Sequence, residues 1–323
     1  MDHITLNHGS GGRQMHELIT DVFAKAFGDH TGNDDSAVFP SQGNIAFTTD
    51  SYVVSPLFFP GGNIGALAVS GTVNDLCTSG AKPAYLSCGL IIEDGFPMSD
   101  LKTIIETMAV YAERAGVRII TGDTKVVERG KADGIFINTA GVGFVPEGRR
   151  ISSSLAADGD IIMITGETAT HEMALFKARE NPPFALDIES DVKPLSLEIA
   201  MLLEATDQIH CMKDPTRGGL AGVCREISMN SAIQIELEED AIPVHRQVAS
   251  ACALLGFDPL YMANEGKMVI VGRPEIENAV KSVFPEACVI GIVKSGSGTF
   301  LRTTGGGLRR IGMLETTQLP RIC

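Results

Sequence analysis

Residues 46–81 read "AFTTDSYVVSPLFFPGGNIGALAVSGTVNDLCTSGA". The segment beginning "NIAFTTDSYVV" predicts a strand that runs into Thr49-Asp50. The run over 63–81 predicts a helix of small residues, suited to tight packing. Gly61 and Gly62 stand where the chain turns into that helix. A strand, a glycine turn and a buried helix in succession form the basic unit of an α/β protein.

Working outward, the same alternation continues. Residues 1–40 are rich in Gly and Asp and contain an amphipathic helical pattern around Gln14–Phe27. "YLSCGLII" reads as a strand. "MSDLKTIIETMAVYAERAG" places Leu101, Ile104, Ile105, Met108 and Ala112 at helical spacing, with Ser99 or Asp100 as starting cap and Gly116 as stop. "VRIITGDT" reads as a strand ending in Gly-Asp-Thr, and "GIFINTAGVGFV" as another. Near residue 150 the pattern restarts with "GDIIMITG" (strand), then three helical segments in "HEMALFKARE", "PLSLEIAMLLEA" and "RGGLAGVCREISMN". The strand "AIQIELEE", the helix "VHRQVASACALLG", the strand "GKMVIVG", the helix "PEIENAVKSVF" and the strands "ACVIGIVKSG" and "TFLRTT" follow. Both halves mix α and β. The boundaries are placed at 1–148, 149–303 and 304–323, the last a flexible tail beyond a glycine hinge, "TGGGL".

Bulk properties narrow the function. The 323-residue chain carries a net charge of −14 and has no Lys/Arg-rich run. Nucleic acid and anionic membrane surfaces are therefore poor partners. No stretch approaches the ~20 apolar residues of a membrane helix, and the first residues lack the pattern of a secretory leader. Seven cysteines, an odd number without a C-x-x-C pair, suggest neither a disulfide framework nor a zinc finger. The expected compartment is the cytoplasm. Most of these thiols sit in apolar runs and read as core. Cys323, in "ETTQLPRIC" (315–323), does not; a frayed thiol at that place is an oxidation liability unless it is used.

Four acidic spots recur at turns or strand ends: Asp34-Asp35, Asp50, Asn74-Asp75 and Asp123. A carboxylate at a strand's C-terminal edge points into the crevice where α/β proteins bind ligands. Several hard oxygen donors there suit Mg²⁺ held partly by phosphates. Each is equally open to reading as a turn or cap residue. Three glycine-rich helix starts accompany them, "HGSGGRQM", "FFPGGNIGALA" and "KDPTRGGLAG". Helix N-termini offer unpaired N–H groups to phosphate, and Arg217 adds a forked cation. No P-loop or G-x-G-x-x-G motif is present. The residues alone imply an Mg-nucleotide enzyme of unusual fold.

Taken together, "HGSGG", "DDSAV", "TTDSYVVSPLFFPGGNIG", "GTVNDL", "GDTKVV", "DGIFINTAG", "DPTRGGLAG", "DPLYMANEGK" and "PRIC" resemble the HypE family of hydrogenase maturation proteins. That family lies within the PurM-like superfamily of aminoimidazole ribonucleotide synthetase. The resemblance runs in order over nearly the whole chain. It implies an N-terminal α/β domain that dimerises through its sheet, a C-terminal α/β domain, and an ATP site near the dimer interface. It also implies an activity. A carbamoyltransferase, HypF, loads a carbamoyl group on Cys323. ATP-dependent dehydration turns this S-carboxamide into S-thiocyanate, and the cyanide passes to iron on a HypC–HypD complex for [NiFe] hydrogenase. By position Asp34, Asp35, Asp50, Gly61, Gly62, Asn74, Asp75, Asp123, Asp214 and Arg217 resemble the ATP ligands, with Asp35, Asp50, Asp75 and Asp123 for Mg²⁺. Lys125 would steady the transferring phosphate or the amide, and Glu265 would act as base. Arg321 is expected to favour the Cys323 thiolate and the adjacent α-carboxylate to disfavour it. "TATHEMALF" departs from the family's Gly-Asp-His-Gly, so His171 receives no catalytic role; "CREI" departs likewise at Glu226. Cys323 lies sixteen positions beyond Gly307, a reach of at most roughly 50 Å, enough to enter the chain's own site or a partner's. A PurM-like thiamine-phosphate or selenium-phosphate enzyme, and a non-enzymatic scaffold with a docking tail, are the alternatives.

Overall fold

The computed structural model describes residues 12–18, 20, 37–41, 43–314 and 317–323. Asp34 and Asp35, and most of the helix expected over 14–27, lie outside them. A short helix α1 (Arg13–Leu18) precedes strands β1 (Ala37–Ser41) and β2 (Gly43–Tyr52). The two-residue strands β3 (Phe58–Phe59) and β4 (Gly62–Asn63) lead into helix α2 (Ile64–Thr78). Strand β5 (Lys82–Glu93), helix α3 (Met98–Ala115) and strands β6 (Arg118–Val127) and β7 (Ile135–Val145) complete the first half.

Helix α2 begins where Asn63 turns its side-chain oxygen onto the Gly65 and Ala66 amides, at 2.8 and 3.2 Å. Every residue of α2 except Asp75 is buried. A helix apolar and small on all sides belongs inside, between packed layers, and α2 touches β2 and β7 on one side and the second half of the chain on the other. Helix α3 is one-sided, with Ile104, Met108, Ala112 and Ala115 buried. Gly116 ends it in the left-handed conformation, as expected. Its start differs from expectation. Pro97 precedes the first turn, and neither Ser99 nor Asp100 caps it; Ser99 Oγ donates to Asp100 instead. Both residues lie within the first turn, where Asp100 complements the helix dipole.

The first sheet has the order β1-β2-β7-β5-β6. All its pairs are antiparallel except β5–β6, which α3 connects. Along β7, Ile135, Ile137 and Thr139 face the helices and are buried. Among the described residues no layer covers the opposite face, which exposes Phe47, Ile91 and Phe144. Strand β6 runs on to Val127 rather than ending at Gly-Asp-Thr, which puts Asp123 at mid-strand.

The second half begins with β8 (Ile161–Ile164), α4 (Thr170–Glu180), α5 (Ser196–Ala205), β9 (Ile209–Lys213), α6 (Gly219–Ser231) and β10 (Gln234–Glu238). It continues with α7 (Arg246–Leu255), β11 (Val269–Gly272), α8 (Ile276–Val283), β12 (Cys288–Lys294), β13 (Gly298–Arg302) and β14 (Leu308–Arg310). Its sheet order is β14-β13-β10-β12-β8-β11-β9. The stretch read as a hinge is the turn of the β13–β14 hairpin, closed by Thr303 N–H to Gly307 O at 2.8 Å. The last residues are docked as well. Leu319 and Ile322 are buried in the main core, and Gln318 exchanges two hydrogen bonds with the Asp258 backbone. Among the described residues no helix is long and apolar enough to cross a membrane.

Candidate active site

Among the described residues, β1 pairs with β2 up to Phe47, and Thr48–Tyr52 are the next residues of β2. There Thr48, Asp50 and Tyr52, on the helix-facing side of the strand, meet Asp75 of α2. Thr48 Oγ1 donates to Asp75 Oδ2 at 2.9 Å, and the Tyr52 hydroxyl donates to Asp50 Oδ2 at 3.3 Å. A Cβ at Gly71 would lie 2.3 Å from that hydroxyl, so only glycine lets α2 approach Tyr52 this closely. From the second half, the segment after β9 brings Asp214, Thr216 and Arg217, and the loop over 264–266 brings Glu265. Cys323 completes the lining of a polar cleft of about 650 Å³ between the two halves.

Asn74 ties the two halves together, and Asp191 fixes the Glu265 loop within the second half. Asn74, at 1 % exposure, donates to Lys193 O at 3.1 Å and accepts from the Leu195 amide at 2.8 Å. Asp191 receives the Glu265 and Gly266 amides, and a Cβ at Gly266 would lie 1.9 Å from Asp191 O. The glycine after Glu265 is therefore required by the backbone crossing.

The electrostatics are dominated by carboxylates out of water. Burial first, then Asp214, Asp191 and Asp50, push the Glu265 carboxyl well above the ordinary range, with Arg217 opposing. Arg217 lies 3.8 Å from Asp50, and negative charge at Cys323, then Asp50, Asp75 and Glu265, favour its charged form against the cost of burial. Burial pushes the Cys323 thiol up to about 12, and Arg217 only partly offsets it. Arg321 does not face the sulfur as expected; it pairs with Asp133 at 2.6 Å and donates to Val53 O. The docked thiol is therefore held protonated, a poor nucleophile in this position.

Of the residues singled out in the sequence, Asp50, Asp75, Asp214, Arg217, Glu265 and Cys323 share this cleft. Asn74 adjoins it as the inter-element tie just described. It and Asp75 lie inside α2, not at a turn or strand end. Gly61 and Gly62 are not in the lining. A Cβ at either would collide with the 190–192 segment, 2.7 Å from Ser190 O and 2.8 Å from a Val192 methyl, so close packing is what requires these glycines. Asp123 and Lys125 pair with each other at 2.7 Å on the exposed strand β6. The register row Ser51–Asn138–Gly89–Asp123 places Asp123 three strands from β2, about 14 Å away at the usual strand spacing. One subunit does not bring that pair to its own cleft.

Sequence reading missed the residues that seat Cys323. His171, Glu172 and Arg179 of α4 all engage the last residues. His171 Nε2 lies 2.7 Å from Ile322 O, Arg179 donates to the Pro320 and Arg321 carbonyls, and Glu172 accepts from the Leu319 amide. The available signal was a histidine and a glutamate directly before the apolar run Met173–Phe176, all six of which are buried.

Asp50, Asp75 and Asp214 present hard oxygen donors suited to Mg²⁺. No group of three or more candidate ligands is gathered into a ready-made metal site among the described residues. This donor set fits a Mg²⁺ ion that takes one or two carboxylates and completes its shell with phosphate oxygens.

Comparison with known proteins agrees with the architecture. The family model for AIR synthase related protein matches its N-terminal domain to residues 33–145 and its C-terminal domain to residues 157–303. Carbamoyl dehydratase HypE of Bradyrhizobium diazoefficiens is 49 % identical over 332 aligned positions, covering 99 % of this chain and 96 % of that protein. The solved HypE–HypF complex contains a chain 44 % identical with TM-score 0.88, covering 92 % of this chain and 99 % of that one. A HypE structure in complex with ATP is 42 % identical with TM-score 0.84, covering 99 % of this chain and 100 % of that one.

Proposed function

The chain belongs to the HypE family of carbamoyl dehydratases, within the AIR synthase related proteins, and from that premise we propose how its own residues carry out the reaction. It is an ATP-dependent carbamoyl dehydratase of hydrogenase maturation. The substrate is the S-carboxamide borne by Cys323, and the product is the S-thiocyanate. The observation that carries this reading is the Cys323 thiol lining the same cleft as Asp50, Asp75, Asp214, Arg217 and Glu265.

An amide oxygen does not leave unaided. Transfer of the ATP γ-phosphoryl group to that oxygen breaks the Pγ–O bond to ADP and forms an iminophosphate, with loss of one N–H proton. Cleavage of the C–O bond then releases phosphate, and loss of the second N–H proton leaves the nitrile. Mg²⁺, when bound through Asp50 and Asp75 and the phosphates, supplies charge neutralisation on the transferring group. Arg217, 3.8 Å from Asp50, holds phosphate oxygens in its fork, and Asp214 lines the same cleft. Glu265 accepts an amide proton. Its raised proton affinity makes it a strong base once emptied.

The protonated Cys323 assigns the loading step elsewhere. A thiol near 12 does not attack carbamoyl phosphate chemistry efficiently. The tail therefore leaves the cleft to be loaded by a HypF-type carbamoyltransferase and returns for dehydration. The cyanide then passes to iron on a HypC–HypD-type acceptor. Two copies associate through the uncovered sheet face bearing Phe47, Ile91 and Phe144, and this association presents Asp123 and Lys125 to the partner's cleft. The domains are 1–148 and 149–303; β14 (Leu308–Arg310) stays paired to the second sheet, and the residues beyond it are the carrier segment. The test is intact-mass spectrometry of the full chain with the carbamoyl donor system, with and without ATP. The expected result is an adduct on Cys323 that loses one water only when ATP is present. An adduct on any other residue would sink the reading.

A further inference from the structure

We propose that His171 and Arg179 are positioning residues, which hold the main chain of the last residues so that the Cys323 sulfur is set into the cleft. The inference rests on the dehydratase reading above.

Four successive tail carbonyls are held. Arg179 donates to Pro320 O and Arg321 O, and to Ser55 O on the adjoining segment. The Ser55 amide also reaches Arg321 O at 3.3 Å. His171 Nε2 holds Ile322 O at 2.7 Å, and the Val53 amide holds Cys323 O at 3.0 Å. Every contact is to the main chain. The grip is therefore independent of what the sulfur carries, and survives conversion of amide to nitrile.

The histidine is locked in one state. A carbonyl only accepts, so Nε2 carries the hydrogen, and Nδ1 then accepts from Ser190 Oγ at 2.7 Å. Ser190 Oγ itself accepts from the Val192 amide at 3.1 Å, which leaves its hydrogen for the ring. Phe59 packs edge-on at 5.5 Å, and burial lowers the proton affinity of the imidazole. Burial and Arg321 lower the proton affinity of Arg179, yet a guanidinium is basic enough to stay charged, so its fork remains a donor. Arg321 adopts φ +54°, a left-handed conformation that is unfavourable for a residue with a Cβ. Holding the carbonyls on both sides of it offsets that cost and fixes the turn that aims Cys323.

Orientation matters here because the amide oxygen must meet a phosphoryl group in line, and about 1 Å of misplacement can lower a rate about 100-fold. Loading by a carbamoyltransferase takes place away from the cleft and does not need the grip. His171→Ala and Arg179→Lys are therefore expected to accept carbamoyl at a rate within about twofold of native. ATP-dependent loss of water should fall about tenfold or more. His171→Gln, whose amide N–H can donate to Ile322 O, should recover part of the loss, whereas His171→Phe should not. Independently of any partner, maleimide labelling of Cys323 read by peptide mapping should be several-fold faster in His171→Ala and Arg179→Lys than in native protein. Equal labelling rates would overturn the inference whatever the activity. So would unchanged water loss, or a uniform loss of both steps that Gln does not relieve. If native protein takes up carbamoyl and never loses water, the dehydratase reading fails instead, while the labelling still decides the positioning role.

Discussion

At the scale of single residues, the buried carboxyls decide the pH behaviour. Glu265 must be empty of its proton to serve as base, and its surroundings hold that proton well above the ordinary range. The dehydration rate is therefore expected to rise with pH across that raised value. Glu265→Gln should remove the rising limb and lower the rate about 100-fold, measured by single-turnover mass spectrometry across pH. Glu172 gives a stability prediction. Burial raises it to about 7 from an ordinary value of 4.5, against the pull of the Ala263 and Leu319 amides and Arg179. A carboxyl raised by folding contributes stability that is full below its unfolded value and is lost as pH rises through about 7. The change amounts to at most about 3 kcal/mol. Glu172→Gln should flatten the dependence of denaturation free energy on pH between 5 and 8; an unchanged slope would refute the assignment. Asp75→Asn should block dehydration while leaving carbamoyl uptake intact, which the same mass measurement separates.

At the scale of elements, the long periodic segments were legible and the short ones were not. Helices α2, α3, α4 and α6 and strands β2, β5 and β7 stand where the residue pattern put them. Strand β9 was missed, because "IHCMK" is five residues with no clean alternation, and its edge position depends on β11 lying beside it. Yet β9 delivers Asp214 and Arg217 to the cleft. The hairpin turn over 303–307 was mistaken for a hinge because glycines serve both purposes, and only the pairing of β14 distinguishes them. The joint between α2 and the second half yields a test. Asn74→Ala leaves the Leu195 amide buried without its acceptor, a loss of about 1–3 kcal/mol, to be read from denaturant unfolding. A change below a few tenths would mean that the tie contributes nothing.

At the scale of the whole molecule, Lys125 poses the sharpest question. It lies on the far strand of the sheet from its own cleft, beside an uncovered apolar face. Phe144→Glu is expected to shift the chain from dimer to monomer in sedimentation, with loss of dehydration. Mixing Cys323→Ala chains with Lys125→Ala chains should restore activity, since each mixed dimer retains one cleft with both groups. No recovery would mean that Lys125 acts, if at all, within its own subunit.

The sequence by itself determined the two-part α/β organisation, the family, and six of the residues that meet in the cleft. Those follow from local spacing and ordered motifs, which a linear chain carries in full. Only the tertiary structure decided that the last residues turn inward, that burial keeps the Cys323 thiol protonated, that Asn74, Gly61 and Gly62 serve packing, and that α4 grips the tail. Each of these depends on the distance between residues far apart in the chain, and on the water excluded when they meet.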